Sequence, residues 1–233
     1  MSIDVIFLGL DGVLFDTEAL HLAACNAAFE NAGLSVRWSL PALRAAAATH
    51  GYARAIGAAI SGEVFARDKD KVAALYADKH RHFHHAITAQ PQKALQAAMV
   101  LIDDAISAGG KICIVTDLPA HSTSALLSGC FGADVNSLFT VVSGGASFEG
   151  PAGTGPYAHA LAAIGIAPQD AIAIDTAVPA LQAAKELGLW TVSVAPYGND
   201  VVRPPQFITF DALNELQASP YTPDQQTLQE LAA

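Results

Sequence analysis

Three short polar clusters follow apolar runs in this chain: Asp11-Gly12, Thr116-Asp117 and Asp175-Thr176. Carboxylates placed this way can move protons as general acids or bases, or hold a hard cation through oxygen. Taken alone, Asp11-Gly12 is a common turn, and Thr116 reads as a capping or turn residue. A fourth cluster is of histidines: His80, His82, His84 and His85 lie within residues 79–85. On a helix, His80 and His84 share a face one turn apart and could chelate a transition metal. That segment offers no acidic or cysteine partner, and Lys79 and Arg81 oppose a cation. A solvated helix face is the default for it.

The elements that must position these residues are legible as alternation. Apolar or β-branched runs at 3–10, 111–116, 138–143, 171–175, 190–194 and, weakly, 206–209 read as strands buried on both faces. Helical stretches at 93–108, 122–129, 157–164 and 179–187 lie between them, punctuated by Gly109-Gly110, Gly132 and Gly188. Strand–helix alternation predicts a parallel, doubly wound, Rossmann-like α/β core. In such a sheet a ligand binds beyond the carboxyl ends of the strands, where Asp11, Thr116 and Asp175 all stand. One gap breaks the rhythm. No strand-like run appears between the first strand and Lys111, and helical patterns fill 18–32, 40–50, 53–61 and 68–85. Pro41 opens one helix after Ser39, and Pro91 marks the return. The predicted division is a core of residues 1–15 and 92–233, with an α-helical cap of residues 16–91 inserted after strand one. The tail, 220–233, reads as polar and then weakly helical.

Composition narrows the function classes. A formal net charge of −10 without basic clusters argues against nucleic acid and anionic membranes as partners. It gives a phosphorylated ligand no general steering, so any anion site must be local. No run reaches the ~18 apolar residues of a membrane span, and the N-terminus runs straight into a strand rather than a signal peptide. Cys25, Cys113 and Cys130 form no metal or redox pattern and read as reduced thiols of a cytoplasmic protein.

Residues 3–18 carry a specific resemblance. Gly9-Leu10-Asp11-Gly12-Val13-Leu14-Phe15-Asp16-Thr17-Glu18 resembles the first motif of the haloacid dehalogenase (HAD) superfamily, D-x-D-G-[VT]-L-x-D-T-E. The resemblance implies a nucleophilic aspartate at the first position and an acid/base aspartate two residues later. Here Gly9 takes the nucleophile's position and Asp11 keeps the second role. Glycine cannot form an aspartyl-phosphate. Read alone, Gly9 is a glycine where backbones approach closely at a strand end. In the second motif the resemblance implies that Thr116 binds a phosphoryl oxygen, followed here by Asp117. In the third, the expected lysine falls at Pro151 or Gly150, neither of which is charged. In the fourth, the Gln182-Ala183-Ala184-Lys185 register puts Asp175 and Thr176 on the two acidic positions. Asp175 remains as a weak Mg²⁺ ligand, and Thr176 cannot replace the second carboxylate.

The inserted segment resembles the CbbY-like branch, related to β-phosphoglucomutase, through His21, Asn26, Ala28-Phe29, Ala32-Gly33-Leu34, Trp38, Leu43, Gly51, Ile56 and Gly57. His21 then matches a cap histidine that touches substrate or relays a proton. Its plain alternative is a polar residue early in an amphipathic helix. Trp38 reads as packing.

The expectation is a HAD-like hydrolase-family protein that has lost aspartate-dependent phosphatase activity and serves in small-metabolite binding or regulation. The alternative is a divergent hydrolase of sugar phosphates or a labile ester, with Asp11 as general base. No cofactor is expected, or Mg²⁺ if activity remains. A ligand would sit between core and cap, near Gly12, Thr116 and Asp117. The oligomeric state stays open. Asp11, Asp117 and Asp175, converging without lysine or metal, would repel a phosphate dianion, and one carboxyl would titrate high.

Overall fold

The computed structural model describes residues 3–60, 67–143 and 155–194. Five parallel strands, β1 (Val5–Leu8), β2 (Lys111–Val115), β3 (Val141–Ser143), β4 (Ala171–Asp175) and β5 (Trp190–Ser193), form one sheet in the order β3-β2-β1-β4-β5. The register aligns Leu8 with Ile114 on one side and Ile174 on the other, so the polar residues after these three strands emerge at one edge. The side-chain period of two divides the sheet cleanly. Ile6, Leu8, Ile112, Ile114, Ile172 and Ile174 enter one apolar cluster, whereas Val5, Phe7, Cys113, Val115, Ala171 and Ala173 enter the other. The four side chains of β1 are fully buried, each contributing about 1.5–3 kcal/mol of transfer free energy if aliphatic or aromatic.

Helices cover both faces. On one lie α4 (Gln96–Ser107) and α5 (Ala120–Phe131), through Leu101, Ile102, Leu126 and Leu127. On the other lie α7 (Pro156–Ile164) and α8 (Val178–Glu186), through Tyr157, Ala160, Ala180 and Ala184. A short helix, α6 (Val135–Leu138), occupies residues just before β3. The strand expected from residue 138 therefore starts three residues later.

Between β1 and β2 come α1 (Glu18–Asn31), α2 (Leu40–His50), a 3₁₀ turn (Ala55–Ala59) and α3 (Lys69–Ala89). The helix expected at 53–61 is thus a 3₁₀ segment where described, with Gly57 in its middle. These elements share their own apolar cluster, including Cys25, Phe29, Leu43, Ile56 and Leu75. Asn26 clamps the entry to α2, donating to the Trp38 carbonyl at 3.0 Å and accepting from its N–H at 2.7 Å. Trp38 packs edge-on against Phe29. The far end of α3 belongs to the sheet: Phe83 and Ile87 join the cluster of Phe15, Leu118 and Leu126. The predicted strand at 206–209 and the predicted tail lie outside the described residues. None of the three cysteines is in a disulfide. Among the described residues, no helix is long and apolar enough to cross a membrane.

Candidate functional site

The chain leaves β1 through a tight loop in which the N–H groups of Leu14 and Phe15 both donate to the Leu10 carbonyl, at 3.0 and 2.9 Å. Gly12 makes this turn possible with φ +73°, and a Cβ there would stand 2.9 Å from the Thr176 methyl. The loop aims Asp11 inward, where Oδ1 accepts from the Thr17 hydroxyl at 2.6 Å and meets His21 Nε2 at 3.0 Å. His21, fully buried, stacks between Phe83 and Tyr52 at ring separations of 4.2 and 5.4 Å. Burial alone would raise the Asp11 carboxyl, but His21, the Thr17 hydroxyl and Lys79 outweigh it and hold it below its ordinary value. Burial and then Lys79 push His21 down to about 4, against Asp11. The pair is therefore a carboxylate with a neutral imidazole whose proton sits on Nε2, leaving the buried Nδ1 without a hydrogen-bond partner.

Thr116, Asp117, Asp175 and Thr176 meet Asp11 at the same edge. Together with Tyr52 they line a cavity of about 20 Å³, enough for about one water molecule. Asp175 Oδ1 accepts from Ala177 N–H at 2.9 Å, and the Thr176 hydroxyl donates to the Asp11 carbonyl at 2.9 Å. Thr116 accepts at its hydroxyl from Leu118 N–H at 3.2 Å, the turn bond of its plain reading, while still facing the cavity. Burial and then Asp11 push the Asp117 carboxyl up to about 7. Burial pushes Asp175 up to about 7 as well, with Asp117 and Asp11 adding to it. Gly9 packs against Asp175: a Cβ on it would stand 2.5 Å from Asp175 Oδ2.

Several participants escaped sequence reasoning. Lys79 is fully buried, and its ammonium donates to the carbonyls of Tyr52 and Ala53 at 3.1 Å each, with the Phe83 ring beneath. The available signal was the buried stripe Leu75, Lys79, Phe83, Ile87 at a spacing of four. Arg54 reaches from the loop after α2 to within 3.9 Å of Asp117. Arg44 forks onto buried Glu18 with bonds of 2.8 Å from Nε and Nη2, and Tyr52 donates to the same carboxylate at 2.5 Å. These roles depend on how helices cross, which no local pattern encodes.

The histidine segment is not uniformly solvated. His85 is exposed, but His80 is half-buried with an unpartnered Nδ1, and His84 lies 3.3 Å from the Ser122 hydroxyl and packs edge-on against His121. Among the described residues, no group of three His, Cys, Asp or Glu side chains could hold a metal ion. The third-motif positions Gly150 and Pro151 lie outside the described residues.

No family model matches the chain. Relatives do. The plasmid CbbY protein of Cupriavidus necator is 29% identical over 199 residues, covering 78% of this chain and 74% of its own. A mutant of CbbY from Rhodobacter sphaeroides, crystallised with xylulose-(1,5)bisphosphate, superposes with a TM-score of 0.70 at 25% identity, over 84% of this chain and 87% of that one. These similarities support a CbbY-like assignment within the HAD superfamily. The CbbY-like fold extends to a β-phosphoglucomutase from Clostridium difficile, with a TM-score of 0.71 over 93% of this chain and 97% of that one at 15% identity.

Proposed function

We propose that this CbbY-like protein no longer performs aspartate-dependent phosphoryl transfer and that its crevice binds a small metabolite between a core and a cap of residues 16–91. The carrying observation is Gly9, which follows β1, packs against Asp175 of the cavity lining and presents no nucleophile. Asp11 cannot substitute by itself. One of its oxygens is held by Thr17 and His21, and its lowered pKa makes it a weak base. The cavity bounded by Asp11, Tyr52 and Asp117 is too small for a metabolite, so binding requires Tyr52 and Arg54 to move off the strand ends.

The test is a panel of sugar phosphates and bisphosphates, xylulose-1,5-bisphosphate included, assayed with Mg²⁺ on wild type and Asp11→Asn. The expected result is no turnover above the variant, with saturable thermal stabilisation by at least one compound. Turnover that disappears in Asp11→Asn would overturn the loss of activity. Absence of both turnover and stabilisation would overturn metabolite binding and leave a structural interaction module.

A second reading rests on the retained Asp11–His21 contact. It is a hydrolase in which Asp11 assists attack by water. General-base help is worth ~10²–10⁴-fold, far below the acceleration that phosphate monoesters require. That reading therefore predicts a labile ester as substrate, detectable in an acyl-ester screen without Mg²⁺.

A further inference from the structure

The HAD resemblance implies Mg²⁺ at the ends of β1 and β4, and the residues there do not fit it. Mg²⁺ demands near-octahedral oxygen ligands, usually one or two carboxylates with substrate phosphate and water. Gly9 supplies no oxygen from its side chain. The Asp11 carbonyl already accepts the Thr176 hydroxyl at 2.9 Å. Asp175, the remaining carboxylate of the set, is folded over Gly9 with Oδ1 tied to Ala177 N–H at 2.9 Å. Its other oxygen and its Cγ would stand 2.5 and 2.8 Å from a Cβ at position 9, distances that real Cβ atoms do not show. The Thr176 methyl lies just as close to a Cβ at Gly12, at 2.9 Å. Position 9 therefore offers no ligand, and the Asp11 carbonyl and one oxygen of Asp175 already accept hydrogen bonds from other parts of the chain.

We infer that Gly9, Asp175 and Thr176 form one interdependent lock that closes the crevice floor without a metal, so that Gly9 is required by the placement of Asp175. This deepens the proposed function and rests on it. The absent nucleophile and the absent second ligand are two sides of one packing arrangement. In it, Thr176 supplies the positive end of a dipole to the Asp11 carbonyl, and Asp175 fills the space that the missing side chain left. Restoring a side chain at position 9 alone puts its Cβ against Asp175.

Two measurements on the full chain test the lock. Paramagnetic Mn²⁺, followed by electron paramagnetic resonance, reports divalent-cation binding directly. Wild type is expected to show no bound Mn²⁺ that Asp175→Ala removes, whereas Gly9→Asp/Thr176→Asp is expected to gain a bound ion. Asp175-dependent Mn²⁺ binding by wild type overturns the inference. The second measurement is a double-mutant cycle in melting temperature. The backbone of Gly9 lies outside the left-handed region, so the cost of alanine there comes from the contact with Asp175. Gly9→Ala is expected to lower Tm by several degrees in wild type, and to leave it unchanged or raised in Asp175→Ala, where the extra Cβ has room. Equal losses in both backgrounds overturn the coupling. Neither readout uses turnover, so the lock and the loss of phosphatase activity fail separately.

Discussion

Burial sets the charge of the crevice side chain by side chain. Asp117 carries a carboxyl raised from 3.8 to about 7 by burial and by Asp11. A group raised on folding contributes stability below its unfolded pKa and loses it as pH climbs through the folded value. The Asp117 contribution is therefore present below pH ~4 and gone by pH ~8. Asp117→Asn removes the charge that must be held away from water, so its Tm relative to wild type should rise between pH 5 and pH 8. A flat difference across that range would refute this. Gly9→Asp should give no phosphatase gain and should lower Tm. It forces a fourth carboxylate against Asp175, whose Oδ2 would stand 2.5 Å from the new Cβ. Substantial activity from that single change would mean that the third and fourth motifs still supply a cation and a metal ligand. Gly9 stood out in the sequence because seven nearby positions, Asp11 to Leu14 and Asp16 to Glu18, followed a strict pattern. The fold of Asp175 over it did not, because a rotamer depends on which neighbours leave room.

Helix α3 shows how much a helix can hide. Its stripe of Leu75, Lys79, Phe83 and Ile87 is buried throughout, and the lysine in it is the clamp on the Tyr52–Ala53 backbone. Lys79→Ala should cost about 1–3 kcal/mol, because two carbonyls lose a charged donor inside the protein. Urea unfolding at neutral pH reads this directly. One residue on, His80 faces Lys79, His21 and His121, with Asp11 the carboxylate that favours its charge. Burial, then Lys79, His21 and His121, lower it from 6.5 to about 3. A lowered histidine is stabilising above its unfolded pKa, and that stability drains away as pH falls from ~6.5 towards ~3. His21, lowered to about 4, loses stability in the same direction. His80→Leu should therefore soften the fall in Tm between pH 6.5 and pH 4.5, leaving the His21 share. The strands were legible as unbroken apolar runs, and α2 matches its predicted bounds at Leu40–His50. The residues before β3 were not legible, since α6 uses the same apolar types as the strand after it. Lys79 was read only as a charge among histidines, because one lysine in a polar-looking segment carries no sign of burial.

At the scale of the molecule, two apolar clusters line the sheet and a third lies among the helices inserted after β1. The gap between the first strand and Lys111 announced that helices would fill it. It could not announce that α3 would belong to both bodies, with Leu75 in one cluster and Phe83 and Ile87 in another. Separating the halves therefore exposes Phe83 and Ile87, and the seam is expected to hold until a ligand or heat supplies the difference. The two tryptophans fall on opposite sides of this seam: Trp38 against Phe29 among the helices after β1, and Trp190 on β5, the outer strand of the described sheet. The indole rings are thus built-in optical labels, one for each half. Trp38→Phe leaves an emission spectrum that reports the sheet alone, and Trp190→Phe leaves one that reports the helices alone. If the two single-tryptophan proteins melt at different temperatures, the halves come apart before they unfold; coincident melting would mean they unfold as a unit.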